Sequence, residues 1–141
     1  MDRKATDKRL QRVYNVTFEE REAMAASHDN ACWICGWKPK EGQRSLAVEH
    51  DHKIAKRKIY AKKVIENGQK MWAVWHEGTP PIFFDKRREG VAVMRHTLKR
   101  LSVRGLVCWA CNSLLKKGRD NPEILESAAR YLRNYKEKFG K

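Results

Sequence analysis

The chain has 141 residues, the length of one domain with a modest core, and its 31 Lys and Arg against 17 Asp and Glu leave a net charge of +14. Basic residues recur from Arg3 to Lys141, a balance that favours a polyanionic partner over an acidic small substrate and opposes self-packing. No apolar run approaches the roughly 18 residues of a membrane span, and Met1-Asp2-Arg3-Lys4 leads into no apolar signal segment, so the protein is expected to be soluble and to stay in the reducing compartment where it is made.

In chain order, residues 1–15 carry Leu10, Val13 and Tyr14 as larger apolar anchors after Met1, and are expected to form an arm or a short helix. Thr17-Phe18-Glu19-Glu20 has the form of a capping box, which predicts a helix from about Phe18 to Ser27. Cys32-Trp33-Ile34-Cys35-Gly36 then reads as a tight turn around a metal, with Gly36 supplying a permissive backbone. Lys38 to Gly42 is a loop, and Leu46-Ala47-Val48 a short strand entering Glu49-His50-Asp51-His52. On a regular strand His50 and His52 share one face and Glu49 and Asp51 the other. For Glu49, His50 and His52 to act on one substrate, the chain must bend there.

Lys53 to Lys63 places six Lys or Arg in eleven positions, a surface suited to a phosphate backbone. Asn67-Gly68 predicts a hairpin between Ile59–Glu66 and Gln69–His76, in which Trp72 and Trp75 either pack the hairpin or stack on bases. Ile82-Phe83-Phe84 is expected as a strand, Asp85 to Gly90 as a charged turn and Val91 to Met94 as another strand. Ser113 to Lys117 is expected as a short helix ending at Gly118. Asn121-Pro122 starts the last helix, whose apolar face from Ile124 to Tyr135 is expected to pack into the core.

Two CxxC pairs, Cys32 with Cys35 and Cys108 with Cys111, have the spacing that grips one tetrahedral zinc ion, a better reading than disulfides in a reducing compartment. Four thiolates fill every coordination position, so such a zinc is structural. It would close a span of 72 residues and draw Asn112 towards Glu49 and the histidines. Glu49 offers a hard carboxylate oxygen, Asn112 an amide oxygen, and His50 and His52 two imidazoles, an inventory suited to metal-assisted phosphodiester hydrolysis. A zinc hydrolase using His50, His52 and Glu49 as ligands is the minority alternative. Asn112 could instead cap the following helix, Asp51 reads as a turn or supporting residue, and His28, His76 and His96 read as structural.

The ordered set Cys32-x-x-Cys35, Glu49-His50-Asp51-His52 and Val103-Arg104-Gly105-Leu106-Val107-Cys108-x-x-Cys111-Asn112 resembles the recombination endonuclease VII family of phages, a branch of the HNH or ββα-metal nucleases. The likeness runs from about Thr17 to Leu132. It implies an α+β fold with a zinc-stapled ββα-metal core, helices at both ends and a β-rich insertion at about 53–103, all in one domain spanning 1–141. It also implies structural zinc on the four cysteines, catalytic Mg²⁺ or Mn²⁺ on Glu49 and Asn112, His50 as general base and His52 on the scissile phosphate. DNA is the implied substrate, cut by nicking or by resolving branched junctions. The implied setting is the cytoplasm of a phage-infected bacterium, with a homodimer and phage recombination or packaging proteins as further partners. The family usually has Asp where Glu49 stands, and the connector from Lys53 to Val103 is much longer than its usual link. Outside the enzyme class, the competing expectation is a zinc-stabilised DNA-binding accessory protein with a silent pocket.

Overall fold

The structure, a computed structural model, describes residues 3–139; Met1-Asp2 and Gly140-Lys141 at the ends of the basic chain lie outside the described residues. It is mixed α and β, as expected, in the order α1 (Arg3–Tyr14), α2 (Phe18–Ser27), β1 (Ala47–His50), α3 (His52–Ala55), β2 (Ile59–Glu66), β3 (Gln69–His76), β4 (Ile82–Phe84), α4 (Arg87–Ser102), β5 (Val103–Val107), α5 (Trp109–Lys117) and α6 (Pro122–Phe139). The chain divides into two compact units. One holds the described residues up to Asp29 together with Val48–Gly105, the other Asn30–Ala47 together with the described residues from Leu106 onward.

In the first unit, the N-terminal segment is a helix instead of an arm. The capping box is complete: Thr17 Oγ1 accepts from Glu20 N at 3.1 Å and Glu20 Oε1 accepts from Thr17 N at 3.2 Å, satisfying two backbone donors that the start of α2 would otherwise leave open. Asp7 Oδ1 accepts from Phe18 N at 2.8 Å and ties α1 to the same corner. Asn67 and Gly68 adopt φ of 49° and 79°, the type I′ pattern, and close β2 onto β3 in antiparallel register with Tyr60 opposite Trp75 and Lys63 opposite Trp72. β4 adds to the other edge of β3, with Phe84 opposite Trp72 and Ile82 opposite Val74.

The expected turn at Asp85–Gly90 and strand at Val91–Met94 are corrected by α4, a single 16-residue helix. Its buried residues are Gly90, Met94, Leu98 and Ser102, four apart each time, so the helical repeat prevails over the β-branched run Val91-Ala92-Val93. The 53–103 connector therefore carries three strands and a long helix. Gly90 lets α4 approach the sheet: a Cβ there would lie 2.6 Å from Val74 Cγ2 and 2.7 Å from Phe84 Cδ2. Val74 and Leu98 are fully buried, each contributing about 1.5–3 kcal/mol. α4 also anchors its neighbours by polar contacts, Arg95 Nη1 donating to Ala55 O at 3.1 Å and Arg57 O at 3.2 Å, and Arg100 Nη1 to Asn15 O at 3.0 Å.

In the second unit, α5 begins at Trp109, four residues before the expected start, because Cys108 is its N-cap. α6 starts where Asn121-Pro122 predicts, with Asn121 Oδ1 accepting from Glu123 N at 2.9 Å. The expectation that its apolar face packs into the core is corrected: no residue from Pro122 to Lys138 is buried, and Ile124, Tyr131, Leu132 and Tyr135 are exposed.

Candidate metal centre and candidate active site

The second unit gathers the four thiols. The first pair sits on a turn in which Cys32 N donates to Trp37 O at 2.8 Å and Gly36 N to Cys32 O at 3.0 Å, and Gly36 takes the positive φ of 79° that such a turn needs. Trp33 N donates to Leu106 O at 3.0 Å, fastening this turn to the segment that carries the second pair. In each pair the first sulfur accepts a backbone N–H: Ile34 N to Cys32 Sγ and Cys111 N to Cys108 Sγ, both at 3.4 Å. None of the four cysteines is in a disulfide.

The sulfurs of Cys32, Cys35, Cys108 and Cys111 all lie within 4.8 Å of one another, and Cys35 Sγ is 3.7 Å from Cys108 Sγ. Four sulfurs at about 2.3 Å from a tetrahedral zinc would stand about 3.8 Å apart, so the donor set fits one zinc ion without rearranging the backbone. Charge supports the fit. Burial pushes the Cys32 thiol up, but backbone N–H groups of Cys35, Cys108 and Ile34, together with the Cys35 thiol, bring it down to about 6. Cys111 moves the other way, raised by burial and then by the Cys108, Cys35 and Cys32 sulfurs around it. One thiol of the cluster is thus drawn towards its thiolate and another away from it, and a divalent cation could offset the crowding that opposes ionisation of the set.

The first unit contains the carboxylate and the two histidines. β1 ends at His50, and Asp51 is the N-cap of α3, its Oδ1 accepting from Lys53 N at 2.9 Å and Ile54 N at 3.4 Å. Asp51 N in turn donates to Ser102 O at 2.8 Å. This strand-to-helix corner is the bend anticipated at Glu49–His52. Across it the rings of His50 and His52 come to 4.3 Å between centroids, tilted at 53°, instead of following strand alternation. Tyr14 meets the half-buried His50 ring edge-on at 5.3 Å, and His52 is exposed.

Glu49 is buried at 6 % exposure. Its Oε2 accepts from Arg104 Nε at 2.8 Å and its Oε1 from Arg104 Nη2, a two-pronged pair that keeps a buried charge compensated. A carboxylate has about four lone-pair sites, so two remain for other partners. Sequence reasoning had Arg104 only as part of a motif and Tyr14 only as an apolar anchor; neither has a local signal tying it to Glu49 or His50. Asn112 lies in the second unit, exposed on α5, with its N donating to Cys108 O at 2.9 Å. The capping alternative for Asn112 is corrected, since Cys108 occupies that position. Of the remaining histidines, His28 pairs with Ser27 Oγ at 3.0 Å, His76 is buried at the end of β3, and His96 is exposed on α4, its carbonyl accepting from Asn15.

Trp75 stacks on Tyr60 with centroids 5.6 Å apart and an interplanar angle of 18°, and Trp72 falls on the opposite face of β3 with Val74. Among the described residues, no helix is long and apolar enough to cross a membrane.

The protein is thus a mixed α and β protein with one cluster of four cysteines able to hold structural zinc and, in a separate unit, a buried carboxylate beside paired histidines. Residues 7–134 match the recombination endonuclease VII family, and the chain belongs to that family. Membership implies a DNA endonuclease of recombination, a hydrolase whose substrate is DNA. No curated protein and no solved structure matches the chain.

Proposed function

We propose that the chain is an HNH-type endonuclease with a ββα-metal core that hydrolyses DNA phosphodiester bonds with Mg²⁺ or Mn²⁺ as catalytic cation, the whole chain acting as one nuclease domain. The observation that carries this reading is the corner at Asp51, where β1 delivers a buried carboxylate and the next turn brings His50 and His52 to 4.3 Å. His50 is the general base: it takes a proton from water as the water oxygen bonds phosphorus and the bond to the 3′ oxygen breaks. Tyr14 holds the His50 ring from its edge. His52, exposed at the first position of α3, contacts the scissile phosphate. Glu49 and Asn112 are the cation's ligands, Glu49 through the lone pairs that Arg104 leaves open. A bound Mg²⁺ or Mn²⁺ would stabilise the charge on the phosphorane and on the departing 3′ oxygen.

A plasmid-nicking assay tests the reading, comparing added Mg²⁺ or Mn²⁺ with no added divalent ion so that the zinc is left in place. The unsubstituted chain should nick only with the added ion. His50→Ala should abolish nicking while zinc content and DNA affinity stay near those of the parent; a His50→Ala variant that nicks at the parental rate overturns the assignment.

We further propose that the enzyme works as a homodimer on branched DNA in a phage-infected bacterial cytoplasm. Paired cuts need paired active sites, and the exposed apolar side chains of Ile124, Tyr131, Leu132 and Tyr135 on α6 support self-association. A junction-versus-duplex cleavage comparison with sedimentation separates this from a duplex-nicking or packaging enzyme. A preference for linear duplex by a monomer contradicts it.

A further inference from the structure

The second unit contains a pocket beside the thiol cluster, sharing Cys35 and Cys108 with it, that none of the phosphodiesterase residues lines. Its volume is about 340 Å³, within the range of about 300–1,000 Å³ common for small-molecule sites, and it is lined by Cys35, Trp37, Arg44, Cys108, Trp109 and Ala110. Its tryptophans are open to solvent, Trp109 at 66 % exposure and Trp37 at 40 %, and Arg44 is exposed. Both tryptophans sit next to residues of the thiol cluster's own turns. Trp37 receives the Cys32 N–H through its carbonyl, and Trp109 is the first residue of α5, directly after its cap at Cys108. A metal-bound cluster would hold both walls fixed.

Trp37 and Trp109 line one pocket and so form a joined apolar surface, which marks a binding site where a scattered apolar side chain would not. The occupant must offer a flat apolar face to the indoles and a negative charge to Arg44. In a chain at +14 whose family acts on DNA, a nucleotide with its base out of the duplex stack has both: a π-face for stacking and an adjoining phosphate for the guanidinium. We propose that this pocket binds one unpaired nucleobase of the DNA substrate, Trp37 and Trp109 contacting the base and Arg44 its phosphate. The inference rests on the nuclease reading above. It makes unstacked positions, such as those at branches and bulges, the feature this unit recognises.

Base-on-aromatic stacking of about 1–3 kcal/mol corresponds to a loss of roughly 5- to 150-fold in affinity when a ring is removed. Three fluorescent duplexes of one sequence are compared by anisotropy without added divalent ion: fully paired, carrying one unpaired nucleotide, and carrying an abasic residue at that same extra position. The unsubstituted chain should prefer the unpaired nucleotide over its abasic counterpart by about tenfold. Trp109→Ala should erase that preference, Trp109→Phe should keep most of it, and Trp37→Ala should lower it; zinc content and circular dichroism report whether each variant is folded. Equal affinity of the parent for unpaired and abasic duplexes overturns the proposal. So does a Trp109→Ala variant that keeps the preference, or one whose main change by sedimentation is dissociation of a dimer, which would make the pocket a contact between copies. Plasmid nicking by the parent, run in parallel, reports on the nuclease reading independently of these affinities.

Discussion

Both carboxylate oxygens of Glu49 accept hydrogen bonds from the guanidinium of Arg104, although 55 positions separate the two residues. The Glu49 side chain is 7 % exposed and that of Arg104 38 %. Water therefore reaches one partner and hardly the other.

Removing Arg104 should strand the buried charge. Breaking a fully buried pair costs about 3–5 kcal/mol, and the half-open Arg104 lowers the expected loss to about 2–3 kcal/mol for Arg104→Ala. Arg104→Lys keeps a charge but not the fork, and should recover only part of it. Urea unfolding measures both, and an Arg104→Ala midpoint equal to the parent's would show that the pair carries no stability.

The thiol cluster should bind one zinc per chain. Its fit predicts that Cys111→Ser or Cys108→Ser lowers zinc content from about one equivalent towards none and melts the second unit, because binding free energies of about 10–16 kcal/mol in zinc-finger peptides rival the stability of a small domain. Elemental analysis with circular dichroism reads this directly. A folded, zinc-free chain would overturn the structural role.

Gly90→Ala places two effects in opposition. Alanine favours a helix interior by about 1 kcal/mol over glycine, whereas the new methyl meets a stiff valine and an aromatic ring, an overpacking cost of about 1–3 kcal/mol. We expect a net loss of about 1 kcal/mol and a lower Tm. A Tm above the parent's would mean that the sheet yields.

The Glu20–Arg100 pair gives a pH dependence of known sign. The Arg100 side chain holds the Glu20 carboxyl below its ordinary 4.5, against burial that raises it and with Thr17 backbone and side-chain donors adding to the lowering. A carboxyl lowered in the folded state contributes stability above its unfolded pKa, and that contribution fades as pH falls through the folded value. Both side chains are partly exposed, so the pair is worth less than about 1 kcal/mol. The stability gap between the parent and Arg100→Ala should be constant at neutral pH and narrow as pH falls below about 4.5. A gap that widens in acid contradicts this assignment.

DNA affinity should fall steeply with salt. With a charge of +14, backbone contacts release counterions at a log-log slope of about −0.9 per neutralised phosphate. Anisotropy titrations across a salt series measure it, and a flat dependence would exclude backbone tracking.

Features satisfied within a few residues were readable from the amino-acid order alone. The Thr17 capping box, the Asn67-Gly68 hairpin, the Asn121-Pro122 helix start and the CxxC turns each contain their own partners. α4 was not readable, because two of its four buried positions are Gly90 and Ser102, which carry no apolar signal, while Val91-Ala92-Val93 imitates a strand. The periodicity of α6 reports that one face is apolar but not what covers it, and the structure leaves that face exposed. At the candidate site, the bend at Asp51 was required by the chemistry assigned to its neighbours, whereas Arg104 reaches Glu49 only through the fold.

The thiol cluster also sets an order of events during synthesis. The 72 residues between Cys35 and Cys108 carry a length-dependent closure cost of about 4 kcal/mol, and the segment they enclose includes the whole of the other unit's second stretch. A nascent chain that has emerged only as far as Arg104 offers an ion two sulfurs, too few to hold it firmly. Metal capture would therefore be a late step that waits for Cys111, and a product stopped before Cys108 would leave the ribosome with its second unit unfastened.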